Sequence, residues 1–274
     1  MTLKDKIEIF GLTDTGLVRD HNEDSIGNNL NLGLAVLADG MGGHRGGEVA
    51  SAITVSTIME TLEEKLKHIT HGDIDEQTGY CIESIAVKDA IIQANTNVFA
   101  SSNENPHYRG MGTTVVVLLF HDDRFTVAHV GDSRLYRYRD GRLEQITNDH
   151  SLTQELLDNG FYTPEQAEQS LNKHLVTRAI GIEESVQIDA FEGDTQPGDI
   201  YLLCSDGVTD MIDDAVIRRT IMKNDEGLEK IADELIRESN EAGGKDNISV
   251  ILARPLKPFP ASDSLFSRFF ELFS

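Results

Sequence analysis

Leu34-Ala35-Val36-Leu37-Ala38-Asp39-Gly40 and Tyr201-Leu202-Leu203-Cys204-Ser205-Asp206-Gly207 share one design, an apolar strand ending in a carboxylate followed by glycine. The glycine lets backbone and ligand approach closely. A third carboxylate, Asp246, stands in Gly243-Gly244-Lys245-Asp246-Asn247, just before the strand run Ile248 to Leu252. One Asp-Gly on its own marks a turn. Two of them at strand ends, beside a third aspartate, place three carboxylates where they can converge, and clustered carboxylates repel unless a cation neutralises them. The sequence has no spaced Cys/His set of the structural zinc kind, so all-oxygen ligation points to Mn²⁺ or Mg²⁺.

Outward from these segments, strand-length apolar runs recur at Asn31 to Ala38, Thr113 to Phe120, Phe125 to Val130, Leu135 to Tyr138, Ile200 to Cys204 and Ile248 to Ala253. Gly or Asp bounds them, as is usual for strands. Asp140-Gly141 is a hairpin-turn dipeptide leading into Arg142 to Ile146, so a mainly antiparallel meander is expected there. From Glu48 to Lys67, apolar residues return every four to five positions, as on one helix face, and Tyr80 to Phe99 and Gly227 to Asn240 also read as helices. Helices in pairs between blocks of strands argue for a layered α+β arrangement over a doubly wound parallel sheet. His150 to Ala179 is polar and broken by Gly160 and Pro164, which reads as a mobile surface excursion. Residues 1–254 are expected to form one catalytic domain, Pro255 to Pro260 a linker, and Ala261 to Ser274 a short aromatic amphipathic tail.

The 274 residues carry a formal net charge of -23, a field that repels nucleic-acid phosphates and anionic membranes. Two cysteines in the chain make a disulfide framework improbable and a reducing compartment the better fit. The N-terminus lacks a signal-peptide core, and no segment approaches the roughly 18 apolar residues of a membrane helix. A cytoplasmic, monomeric protein is expected.

Six blocks together resemble the type 2C family of metal-dependent serine/threonine protein phosphatases, in its bacterial stand-alone form. They are Arg19-Asp20-His21-Asn22-Glu23-Asp24, Ala38-Asp39-Gly40-Met41-Gly42-Gly43-His44, Gly110-Met111-Gly112-Thr113-Thr114, Gly131-Asp132-Ser133-Arg134, Ser205-Asp206-Gly207 and Gly244-Lys245-Asp246-Asn247. They follow the family's order across about residues 8 to 254. The resemblance implies a four-layer αββα sandwich, in which two mainly antiparallel sheets are flanked by helix pairs. It implies two core Mn²⁺ or Mg²⁺ ions with a possible third. By the same resemblance Asp39 bridges the core ions, the Gly40 carbonyl binds the first, Asp206 and Asp246 bind the second, and Asp132 with Asp206 forms the third site. Glu23, Asp24 and Asn247 would orient bound waters from outside.

The implied reaction is hydrolysis of phosphoserine and phosphothreonine in proteins by a metal-activated water, without a phosphoenzyme. Arg19 offers a planar bidentate fork for the phosphate oxygens. Where eukaryotic members carry a histidine after the metal-binding Asp-Gly, this chain has Met41, which has no proton to donate. That leaves a bound water or His44 for the leaving group. The expected partners are phosphoproteins and an opposing serine/threonine kinase, and the likeness extends loosely to phosphatases of bacterial type VI secretion. Gly40 to Gly47 does not form a nucleotide cradle, because Arg45 replaces the last fingerprint glycine and no Gly-Lys-Ser/Thr follows. A catalytically silent phosphoprotein-binding domain of the same fold is disfavoured, since all three metal aspartates, Arg19 and Asp132 are retained.

Overall fold

The computed structural model describes residues 2–42, 46–69, 72–168, 170, 175–223 and 227–260. The strands are β1 (Ile7–Asp14), β2 (Asp24–Asn29), β3 (Leu34–Met41), β4 (Gly112–Thr113), β5 (Val115–His121), β6 (Arg124–Val130), β7 (Arg134–Arg139), β8 (Arg142–Gln145), β9 (Asp189–Asp194), β10 (Ile200–Cys204) and β11 (Ile248–Pro255). The helices are α1 (Gly46–Lys65), α2 (Ile82–Glu104), α3 (Leu152–Asp158), α4 (Pro164–Glu168), α5 (Asp206–Thr209), α6 (Asp214–Lys223) and α7 (Leu228–Glu241). One sheet runs β1-β11-β10-β7-β8 and the other β2-β3-β5-β6-β9, with β4 paired to the end of β3. These ladders are antiparallel.

The central strands read as unbroken apolar runs because both of their faces are covered. In β5, Val115, Val117 and Leu119 face the core shared with α1 and α2. The alternate residues Val116, Leu118 and Phe120 face the core between the sheets. β10 divides likewise, with Ile200, Leu202 and Cys204 toward α6 and α7 and Tyr201 and Leu203 inward. The period-two split therefore yields the four α-β-β-α layers, as the α+β sandwich reading expects.

Three parts of the sequence reading change. β1, β2, β9 and α6 were not foreseen. β1 and β9 are sheet edges with mixed, half-buried sequences, which lack the apolar run that marked their neighbours. The described ends of the His150 to Ala179 stretch are anchored, not loose: His150 and Ser151 are buried, Ser151 caps α3 by accepting from the Gln154 amide at 3.2 Å, and the Leu152 and Thr177 amides donate to the Leu175 and His150 carbonyls at 2.9 and 2.8 Å. At the C-terminal end, Pro255 closes β11 and Phe259 is buried, its ring edge-on to Phe120 at 6.0 Å. The packed body thus reaches past Arg254. The aromatic tail from residue 261 lies outside the described residues.

Candidate metal centre

β3 delivers Asp39 from one sheet, while β10 and β11 are neighbours in the other and present Asp206 and Asp246 at the end of one and the start of the other. Arg19 comes from the β1–β2 loop and Asp132 from the turn between β6 and β7. These five line one cavity of about 820 Å³, with Glu23 and Gly40 on the same wall. Asp24 and Asn247 stand behind it. His44 lies outside the described residues, whereas Met41 lines the cavity.

The glycines admit backbone against backbone. A Cβ on Gly40 would meet the Gly47 carbonyl oxygen at 2.2 Å, and one on Gly207 would meet that of Asn247 at 1.9 Å. Close approach at these positions brings β3 to α1, and α5 to the start of β11, so that the aspartates converge.

Behind the carboxylates is a hydrogen-bonded scaffold that sequence reasoning largely missed. The Asp39 amide donates to Thr114 Oγ1 at 3.1 Å, and the Asp39 carbonyl accepts from the Thr114 amide at 2.8 Å and Thr113 Oγ1 at 2.7 Å. Thr114 Oγ1 also meets Ser133 Oγ at 2.7 Å, tying Asp39 to the turn that carries Asp132. Asn247 Oδ1 accepts from the Glu23 amide at 2.8 Å, and its Nδ2 donates to the Thr15 and His21 carbonyls at 2.9 and 3.0 Å. Its amide is therefore committed to the backbone of the Arg19 loop. Arg134, in the Gly-Asp-Ser-Arg block, grips Asp149 through Nε and Nη2 at 2.7 to 3.1 Å and does not line the cavity. The only signal for the threonines was Gly-Met-Gly-Thr-Thr itself. Leu175 and Val176 also line the cavity, supplied by the segment read as an excursion.

The electrostatics are those of a site missing positive charge. Burial pushes the Asp39 carboxyl well above the usual carboxylate range, and the facing Asp24, Asp206, Asp132 and Asp246 push it further. Asp132 rises to about 7, by burial first and then by Asp206 and Asp149. Asp24, paired with Asp39 in the β2–β3 register, also rises to about 7, mainly by burial. Hydroxyls of Ser205 and Ser249 donate to Asp24 Oδ2 at 2.9 and 2.6 Å, while its Oδ1 is buried with no hydrogen-bond partner among the described residues. Arg19 donates to Asp246 at 2.5 Å and remains half exposed. Arg19 and Lys245, the two cations on the lining, cannot balance the six carboxylates of Glu23, Asp39, Asp132, Asp206, Asp210 and Asp246. The residues therefore fit divalent cations.

The sequence pattern of the family described as protein phosphatase 2C matches residues 16–253. Serine/threonine phosphatase stp of Listeria monocytogenes is 36% identical over 243 residues, covering 88% of this chain and 92% of that protein. The crystal structure of the Mycobacterium tuberculosis serine/threonine phosphatase PstP/Ppp is similar with a TM-score of 0.81 at 34% identity, covering 92% of this chain and 100% of that one. A structure of the PstP catalytic domain in complex with 2 manganese ions gives a TM-score of 0.78 at 34% identity, over 92% of this chain and 99% of that one.

Proposed function

The chain belongs to the protein phosphatase 2C family and is a metal-dependent protein serine/threonine phosphatase, and from that premise we propose how its own residues divide the work. Asp39, Asp206 and Asp246 would hold two core ions together with the Gly40 carbonyl, and Asp132 with Asp206 would hold a third. The observation that carries this reading is the convergence of these carboxylates from both sheets on one cavity, with the Asp39 carboxyl raised by its neighbours.

When bound, the cations supply hydroxide at neutral pH and offset charge on the phosphoryl oxygens. Arg19, half exposed at the rim, has N–H groups beyond the one given to Asp246 and uses them to orient the phosphate. Asn247 keeps the Arg19 loop in place through its three backbone hydrogen bonds. Glu23, on the cavity lining, would accept hydrogen bonds from waters there, while Asp24 stands behind it, held by the Ser205 and Ser249 hydroxyls. Met41 has no proton to give, so the leaving oxygen takes its proton from water or from His44.

We read the protein as cytoplasmic and monomeric, opposing a serine/threonine kinase. Support comes from the match over 92% of a phosphatase of similar length. No helix among the described residues is long and apolar enough to cross a membrane.

The test is hydrolysis of a phosphothreonine peptide after EDTA treatment, with Mn²⁺ restored. Asp39→Asn should lose at least about 100-fold in kcat with its fold intact by circular dichroism, because a neutral amide binds a hard cation poorly. Full activity without metal, or wild-type rates in Asp39→Asn, would refute the assignment.

A further inference from the structure

Cys81, Glu83 and His121 form a buried group that shares no residue with the aspartate cavity. Cys81 is the residue before α2, Glu83 sits in its first turn, and His121 ends β5. They are 4%, 0% and 5% exposed. The sulfur, a carboxylate oxygen and a ring nitrogen lie within 4.8 Å of one another, the only such His/Cys/Asp/Glu group among the described residues.

A chain of hydrogen bonds determines which imidazole nitrogen is bare. Although burial opposes its charge, Glu192 is held below the usual carboxylate range by Ser84, by the Cys81 amide and thiol, and by Arg124, so it is an acceptor only. The Ser84 hydroxyl must donate to it. Ser84 Oγ, its proton committed, accepts from Thr126 Oγ1 at 2.6 Å, and Thr126 in turn accepts from His121 Nε2–H at 2.8 Å. His121 is thus the Nε2–H tautomer, and Nδ1 carries a lone pair.

That lone pair is buried without a hydrogen-bond partner among the described residues, and Glu83 Oε2 is 3.9 Å away, beyond hydrogen-bond reach. Protonating the ring does not resolve this, because burial disfavours its charged form. A buried sulfur and a carboxylate grouped with a histidine whose bare Nδ1 lies 3.9 Å from that carboxylate, and whose Nε2 is anchored by a hydrogen bond, have the make-up of a metal site's ligands and outer partners.

We propose that Cys81, Glu83 and His121 bind a single divalent ion of the zinc class, separate from the catalytic ions. Zinc–ligand bonds of about 2.0–2.3 Å place ligand atoms under about 4 Å apart, so the trio must close by less than about 1 Å. A cavity of about 200 Å³ borders Glu83 and His121 and has room for a fourth, water ligand. Thiolate ligation selects zinc over the Mn²⁺ or Mg²⁺ of the carboxylate centre. Burial and the neighbouring Glu192 push the Cys81 thiol up to about 11, with Arg124 Nη1 at 3.8 Å from the sulfur opposing them, so the ion itself must displace the thiol proton, which leaves to solvent. The ion would clamp the start of α2 to the end of β5 and stabilise the fold by mass action.

The test uses the whole protein, stripped with EDTA, saturated with Mn²⁺ and then titrated with Co²⁺. One equivalent should produce a thiolate-to-cobalt charge-transfer band in the near ultraviolet, which an all-oxygen centre does not give, and Zn²⁺ should abolish it. Cys81→Ser should lose the band and Cys204→Ser retain it, both hydrolysing aryl phosphate normally in Mn²⁺. Thr126→Val, which keeps all three ligands but removes the acceptor for Nε2–H, should weaken zinc binding about 10–100-fold. Absence of the band in the wild-type protein, a measurement that needs no variant, overturns the proposal. So does a band that survives in Cys81→Ser or vanishes in Cys204→Ser.

Discussion

Asp24, Asp39 and Asp132 are costly residues in the metal-free protein. Folding takes each out of water beside other carboxylates, and the folded state raises Asp24 and Asp132 from the ordinary aspartate value to about 7. Between about pH 4 and 7 the folded state therefore binds more protons than the unfolded one, so metal-free stability falls as pH rises through that window. Divalent cations require the ionised carboxylates and reverse the penalty. The rise in melting temperature on adding saturating Mn²⁺ should accordingly be several degrees larger at pH 8 than at pH 5.5. Scanning fluorimetry with and without Mn²⁺ at both pH values checks this, and an equal rise at both would contradict it. At this scale the aspartates, Arg19 and Gly40 were legible because each stands in a distinctive short block. The bracing roles of Thr114 on the Asp39 backbone and of Ser205 and Ser249 on the Asp24 carboxylate were not, since a hydroxyl's partner has no signature until the fold brings the two together.

At the level of elements, apolar runs disclosed the central strands and the helical period disclosed α1, α2 and α7. β1 and β9 escaped because an edge strand carries polar residues that blunt unwanted pairing. Proline spacing suggested that the catalytic body ends at Arg254, yet Phe259 fills a place between the sheets beside Phe120 and its amide donates to Asp123. Removing a buried phenylalanine costs about 3–5 kcal/mol. Truncation after Arg254, or Phe259→Ala alone, should thus lower the melting temperature markedly, while truncation after Pro260 should leave that contribution intact. Thermal melts of the three proteins in Mn²⁺ separate these outcomes, and equal melting of all three would show that Phe259 contributes nothing.

For the whole molecule, a net charge of -23 creates a repulsive long-range field around a cavity that must admit a phosphate dianion. Phosphopeptides flanked by Lys or Arg should be hydrolysed with higher kcat/KM than Asp/Glu-flanked ones at low salt, and the gap should shrink several-fold between about 0.02 and 0.3 M salt as screening sets in. Steady-state rates on the two peptides at both salt concentrations decide it, and a salt-independent ratio would exclude steering. The sequence by itself determined the α+β class, the aspartates, the acidic field and the family resemblance, because these reside in local periodicity, composition and short blocks. Only the tertiary structure decided that Asn247 secures the Arg19 loop, that Phe259 belongs to the core, and that Cys81, Glu83 and His121 meet. Each depends on contacts between residues distant in the chain, whose geometry is set by how two sheets and their helices close on one another, and local sequence does not encode it.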